Sequence, residues 1–117
     1  MSHLSSKVCT ACSGDADTLK ATEIHEHMKD LDEAWEEKDN HHIVQEFDFP
    51  DFKSTLEFVN DVGEIAEEQG HHPVFNDFTW GKVTVKLYTH KIDGLHENDF
   101  IMAAKIDGLI EENSYGE

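Results

Sequence analysis

Basic side chains are scarce in this chain of 117 residues, which carries nine Lys plus Arg against 26 Asp plus Glu, a formal charge of −17. That excess repels phosphate backbones and leaves no basic stripe for counterion release, so no nucleic-acid partner is expected. The acids are spread along helix-like segments such as Glu33 to Asp39 and Glu64 to Glu68, the pattern of a solvated surface. Long apolar runs are also missing. Nothing approaches the roughly 18 apolar residues of a membrane span, and the N-terminus lacks the basic-then-apolar order of a signal peptide. The expectation is a soluble cytoplasmic protein with no membrane partner.

Cysteine is limited to Cys9 and Cys12, in Cys9-Thr10-Ala11-Cys12. A structural zinc site wants four ligands, and a redox motif wants to open a helix after a strand. Neither context surrounds this pair, which reads as ordinary reduced thiols. His3, His25 and His27 could complete a metal site only from both sides of a polar Ser-Gly-Asp segment. Proline occurs twice, at Pro50 and Pro73, and both positions punctuate the chain.

At this length one modest core is possible and two are not. Residues 1–17, small and polar around Ser13-Gly14-Asp15-Ala16-Asp17, read as a tail, and residues 18–117 as one domain. Thr18 is placed to cap a helix from about Leu19 to Leu31 with Leu19, Ile24, Met28 and Leu31 inward. After a turn at Asp39-Asn40, Ile43, Phe47 and Phe49 alternate with Val44, Glu46 and Asp48 as in a half-buried strand that Pro50 ends. Asp51 then caps a helix running to about Gln69. Its apolar stripe is Phe52, Leu56, Val59, Gly63 and Ala66, widened by Phe58, Val62 and Ile65.

Val74 to Phe78 and Lys82 to His90 read as two further strands joined at Trp80-Gly81, with Val83, Val85 and Leu87 on one face. On a regular strand His90 would share the polar parity of Tyr88 and point away from the helices. Asp93-Gly94-Leu95 is a turn, and Glu97 to Glu112 a final amphipathic helix opened by acids that suit its positive end. The economical assembly is an α+β two-layer fold, a small antiparallel sheet of about four strands with three helices on one face. The other sheet face then needs a cover, and a homodimer or homotetramer is the simplest.

The chemistry concentrates at His71-His72-Pro73, with His90 eighteen residues beyond His72. Imidazoles exchange protons near neutral pH, so three in one region can supply both an acid and a base. Adjacent strand residues point to opposite faces, so His71 and His72 need irregular backbone to share a site. Pro73 holds His72 extended, and Gly70 suits a left-handed helix cap just before them. A zinc site from His71, His72 and His90 is the competing idea. Strand-adjacent histidines converge poorly on one ion, however, and no metal is expected.

These residues together resemble the pterin-4a-carbinolamine dehydratases. The likeness rests on Gly70-His71-His72-Pro73, the strand through Phe75 and Phe78, Thr89-His90, and Gly94-Leu95 followed by Asp99. Upstream it extends to Trp35 and the stretch Ile43 to Phe52, covering residues 18 to 113 or so. The resemblance implies a hydro-lyase that dehydrates a 4a-hydroxytetrahydropterin to the quinonoid dihydropterin without any cofactor, recycling the pterin of aromatic amino-acid hydroxylases. It assigns His71 and His90 to acid-base work, His72 to catalysis and to holding the pterin, and Pro73 and Asp99 to substrate binding. Asp99 also suits a plain capping role, and Glu67 reads as surface. His41, His42, His96, His25, His27 and His3 carry no such support. His96 stands where a Ser or Thr cap would be expected, which implies a weaker helix start. The alternative is a non-catalytic oligomeric module that binds a pterin or a protein on the same fold.

Overall fold

A computed structural model describes residues 18–113, 115 and 116; Cys9, Cys12 and His3 lie outside the described residues. The elements run α1 (Ala21–Met28), β1 (Glu36–Lys38), β2 (His42–Asp48), α2 (Phe52–Gln69), β3 (Val74–Asn76), β4 (Lys82–Leu87) and α3 (Glu97–Glu112), with a 3-10 turn at His90–Ile92. The sheet is antiparallel throughout in the order β1-β2-β4-β3, giving a two-layer α+β fold with three helices.

Register shows how the layers meet. Ile43 pairs with Leu87, Gln45 with Val85 and Phe47 with Val83, so these side chains share one face of the central strands. Ile43, Phe47, Val83, Val85 and Leu87 are buried there, and the opposite face carries Val44, Glu46, Thr84 and Lys86, which are exposed or half-buried. Into the apolar face packs α3, whose run from Asn98 to Ala104 is buried without a break. A helix buried nearly all round belongs at the centre of its layer, and α3 touches α1, α2 and β4.

The cap at Asp51 forms as read: its side chain accepts from the Ser54 amide at 2.8 Å, satisfying one free donor of α2's first turn. At the other end Gly70 takes φ 66° and its amide returns to Ala66, the left-handed cap that glycine adopts at least cost. The stripe of α2 differs from expectation. Thr55, Phe58, Val62 and Ala66 are buried, whereas Phe52 and Leu56 lie outside. Two apolar stripes overlap on this helix, and the sheet selects the one through Phe58, whose ring meets Phe47 at 4.6 Å and Phe49 at 5.0 Å between centroids.

Three other boundaries move. α1 begins at Ala21, with Glu23 accepting from the Lys20 amide at 3.0 Å, and Thr18 instead lies against Gly94. A side chain on Gly94 would meet the Thr18 methyl at 2.4 Å, so this crossing requires glycine. β3 stops at Asn76, because Asp77 takes φ 50° and turns the chain. β4 stops at Leu87. Thr89 then bridges Gly94, its amide donating to the Gly94 carbonyl at 2.8 Å, and the four-residue excursion between them coils into the 3-10 turn that carries His90.

Candidate active site

The left-handed step at Gly70 ends α2 abruptly, so His71 and His72 leave the helix on irregular backbone rather than on a strand. Their rings turn to different partners. His71 Nε2 lies 2.6 Å from Asp99 Oδ1, and His72 Nε2 lies 2.6 Å from Glu67 Oε2. A carboxylate only accepts, so each Nε2 carries the hydrogen and each Nδ1 is left without a hydrogen-bond partner among the described residues.

The two pairs sit in different media. Asp99 is fully buried and the His71 side chain is 11% exposed, whereas His72 and Glu67 are 60% and 80% exposed. The outer pair is screened and contributes at most about 1 kcal/mol. The inner carboxyl group has its burial offset by three accepted hydrogen bonds. His71 supplies one at Oδ1, and the Thr89 hydroxyl at 2.9 Å and the His96 amide at 3.0 Å supply two at Oδ2.

Asp99 therefore lies behind His71 rather than open to solvent, and its reach to any bound molecule runs through that imidazole. His96 corrects a second expectation. Its Nδ1 accepts from the Asn98 amide at 3.1 Å, so its ring caps α3 in the manner of a Ser or Thr, while Asp99 closes the reciprocal half of the box.

His90 is held differently. Its exposed ring has no hydrogen-bond partner among the described residues and lies against Tyr88, with centroids 4.3 Å apart. Although β4 ends at Leu87, burial still alternates through buried Thr89 to exposed His90, and His90 lines a cleft of about 520 Å³ together with the other two histidines. The cleft walls include His71, His72 and Pro73 from one segment, Tyr88, Thr89 and His90 from another, and Asn98 from α3. That volume lies within the usual range for small-molecule sites. Thr89 and Tyr88 join the candidate site as well; in the sequence Thr89 is signalled only through the Thr89-His90 motif and Tyr88 only by adjacency. Glu67, read as surface, is exposed and also paired to His72.

His41 and His42, for which the sequence carries no signal of a role, approach the same region through Tyr88. His41 Nε2 lies 2.7 Å from Asp93 Oδ1, its Nδ1 lies 3.0 Å from His42 Nδ1, and its ring packs on Tyr88 at 4.7 Å. Burial, then the positive charge of Lys86 and then His41, hold the His42 imidazole below the usual histidine range. His27 instead stacks on Phe100, at 5.0 Å, as part of the α1 to α3 packing. Among the described residues, no group of three or more His, Cys, Asp or Glu side chains is arranged to hold a metal ion.

A second cleft of about 530 Å³ lies between α2, α3 and the loop after α1, and its walls carry Asp30, Asp32, Glu68, Asp107, Glu111 and Glu112 but no histidine. Burial pushes the Asp107 carboxyl up to about 6 against two hydrogen bonds that favour its charged form. Those bonds come from the Asp32 amide at 2.9 Å and the Trp35 indole at 2.7 Å. Both oxygens are thus engaged in tying the α1–β1 loop to α3, a structural task.

Known proteins resemble this chain over nearly all of its length. The sequence profile of the family described as Pterin 4 alpha carbinolamine dehydratase matches residues 17–109. A relative from Rubrobacter xylanophilus is 47% identical over 93% of this chain and all of its own length, and one from Alkaliphilus metalliredigens 44% identical over 92% and 96%. Both are provisionally named pterin-4-alpha-carbinolamine dehydratases. Among solved structures, a transcriptional coactivator/pterin dehydratase from Brucella melitensis superposes with a TM-score of 0.74 at 31% identity, covering 80% of this chain and 98% of that one. A pterin dehydratase-like protein identified as a RuBisCO assembly factor in the alpha-carboxysome gives a TM-score of 0.56 at 26% identity, over 65% and 88% of the two chains. No helix among the described residues is long and apolar enough to cross a membrane. With the fold, the histidine cleft and these likenesses in agreement, the chain belongs to the pterin 4 alpha carbinolamine dehydratase family.

Proposed function

We propose that the cleft dehydrates a 4a-hydroxytetrahydropterin to the quinonoid dihydropterin, by histidine acid-base catalysis and without a cofactor. The observation that carries this reading is the shared cleft of His71, His72 and His90, with a buried carboxylate fixing the ring of the first. Hydroxide leaves C4a readily only once protonated, and N5 loses its proton as the C4a=N5 bond forms, so the products are the quinonoid pterin and water. One acid and one base suffice, and each positioned transfer contributes about 10²- to 10⁴-fold in rate.

His71 and His90 carry the two transfers in this reading. Because Asp99 takes the hydrogen on Nε2 of His71, Nδ1 is the atom that exchanges protons with substrate. His72, oriented by Glu67, holds the pterin ring beside Pro73 and assists the transfer. Asp99 serves substrate binding by positioning His71. The reaction returns the pterin cofactor of aromatic amino-acid hydroxylases to use. The open sheet face around Val44 and Lys86 fits a homodimer or homotetramer, in the cytoplasm.

The test is dehydration of freshly generated 4a-carbinolamine, followed by ultraviolet absorbance. Wild type accelerates it, and His71→Ala, His72→Ala and His90→Ala each lose at least tenfold. A second reading takes support from the structural neighbour identified as an assembly factor, namely a binding module on the same fold. Rates no faster than buffer for folded wild type would put that reading first.

A further inference from the structure

The three histidines of the cleft differ in what holds them. His71 has a buried carboxylate and His72 an exposed one, but the His90 ring has no hydrogen-bond partner among the described residues and lies exposed on a single 3-10 turn. A proton-transfer group needs a fixed position, since displacement of about 1 Å can cost on the order of 10²-fold in rate. Something other than a hydrogen bond has to fix this ring.

Tyr88 occupies that place. Its ring lies 4.3 Å from the His90 ring at 47°, and the His41 ring lies 4.7 Å from Tyr88 at 36°. Three rings therefore form a row from the end of the β1–β2 hairpin to the cleft. The row is anchored at its far end, where His41 Nε2 donates to Asp93 Oδ1 at 2.7 Å. Asp93 is the residue that closes the 3-10 turn, in the left-handed conformation at φ 48°, with its amide returning to the His90 carbonyl at 3.2 Å. One histidine on the hairpin thus grips the His90 turn twice, through Asp93 and through Tyr88. Lys86 Nζ, 5.3 Å from the Tyr88 centroid, adds a cation over the same ring.

We propose that Tyr88 is the positioning residue for His90, and that the His41–Asp93 pair braces Tyr88 and the turn from the opposite side. This rests on the dehydratase reading of the cleft. The support is through ring contact, so the phenol oxygen is dispensable and the aromatic face is not. Aromatic contacts of this kind correspond to about two- to tenfold in a rate that depends on them.

The experiment compares wild type with Tyr88→Phe, Tyr88→Ala and His41→Ala, reading kcat and KM for carbinolamine dehydration. The carbon-bound ring protons of His90 are followed in parallel by NMR, assigned by their loss in His90→Ala. Tyr88→Phe keeps both the wild-type kcat and the upfield ring-current shift of those protons. Tyr88→Ala loses the shift and about three- to tenfold in kcat with KM moving by less than twofold, and His41→Ala falls between. Full kcat in folded Tyr88→Ala, or no His90 ring-current shift in wild type, overturns the positioning role while the dehydratase reading stands. Wild type without any dehydration overturns that reading, and the positioning role of Tyr88 falls with it.

Discussion

Asp99→Asn separates what the buried carboxylate does for the fold from what it does for His71. The amide keeps one acceptor oxygen and replaces the other with a donor. Its cheaper orientation leaves the oxygen toward the Thr89 hydroxyl and the His96 amide, which donate from 2.9 and 3.0 Å, and turns the NH₂ toward His71. The opposite orientation sets the NH₂ against the His96 N–H, two donors facing each other. His71 must then accept at Nε2, and its hydrogen moves to Nδ1. All three contacts survive, but they change from charge-assisted to neutral, a loss of about 1 kcal/mol each. Removing a buried charge returns part of that, so the net cost is about 1–2 kcal/mol in a urea titration. Activity falls further, by about 10²- to 10³-fold in kcat, because Nδ1 now presents the wrong protonation state to substrate. Two-bond nitrogen-proton correlation spectra read the tautomer directly, with Nε2–H in wild type and Nδ1–H in the variant. A folded Asp99→Asn protein whose tautomer has switched but whose kcat stays within threefold of wild type would refute the argument.

Gly70→Ala forces a side chain into φ 66° with open space around it, so the cost is backbone strain alone, about 1 kcal/mol by thermal melting. A loss above about 3 kcal/mol would point to a clash that the structure does not contain. For Asp107, the folded pKa of about 6 stands above the ordinary 3.8, so the folded state favours the protonated form. Its stabilising contribution is complete below about pH 4 and is lost as pH rises through 6. Wild type should therefore lose stability relative to Asp107→Asn between pH 4 and 7, seen as diverging urea midpoints; a constant difference across that window contradicts the assignment.

Local chemistry made much of this fold readable. Asp51 and Gly70 mark both ends of α2 because an N-cap and a left-handed cap depend on neighbours within four residues. The alternation in β2 and β4 is equally local, and it separates the buried from the open sheet face. What stayed hidden was set by distant contacts. Position in the first turn of α3 explains only the bond from the His96 amide to Asp99, whereas those from Thr89 and His71 come from 10 and 28 residues away. The exposed side of Phe52 and Leu56 is a choice between two overlapping stripes that only the sheet can make. His41 offered no pattern at all, since its partners Asp93 and Tyr88 reach it through pairing of β2 with β4.

The double duty of Asp99 has a dynamic consequence. The side chain that closes the opening turn of α3 also orients the His71 imidazole, so fraying of that one turn releases both at once. That turn is also a buried part of α3, with Asn98 to Ile101 out of solvent, so it opens only together with the core around it. Heating or denaturant should therefore silence the protein in step with loss of its helix and sheet signals, and inactivation measured this way reports on the core rather than on a loose helix end.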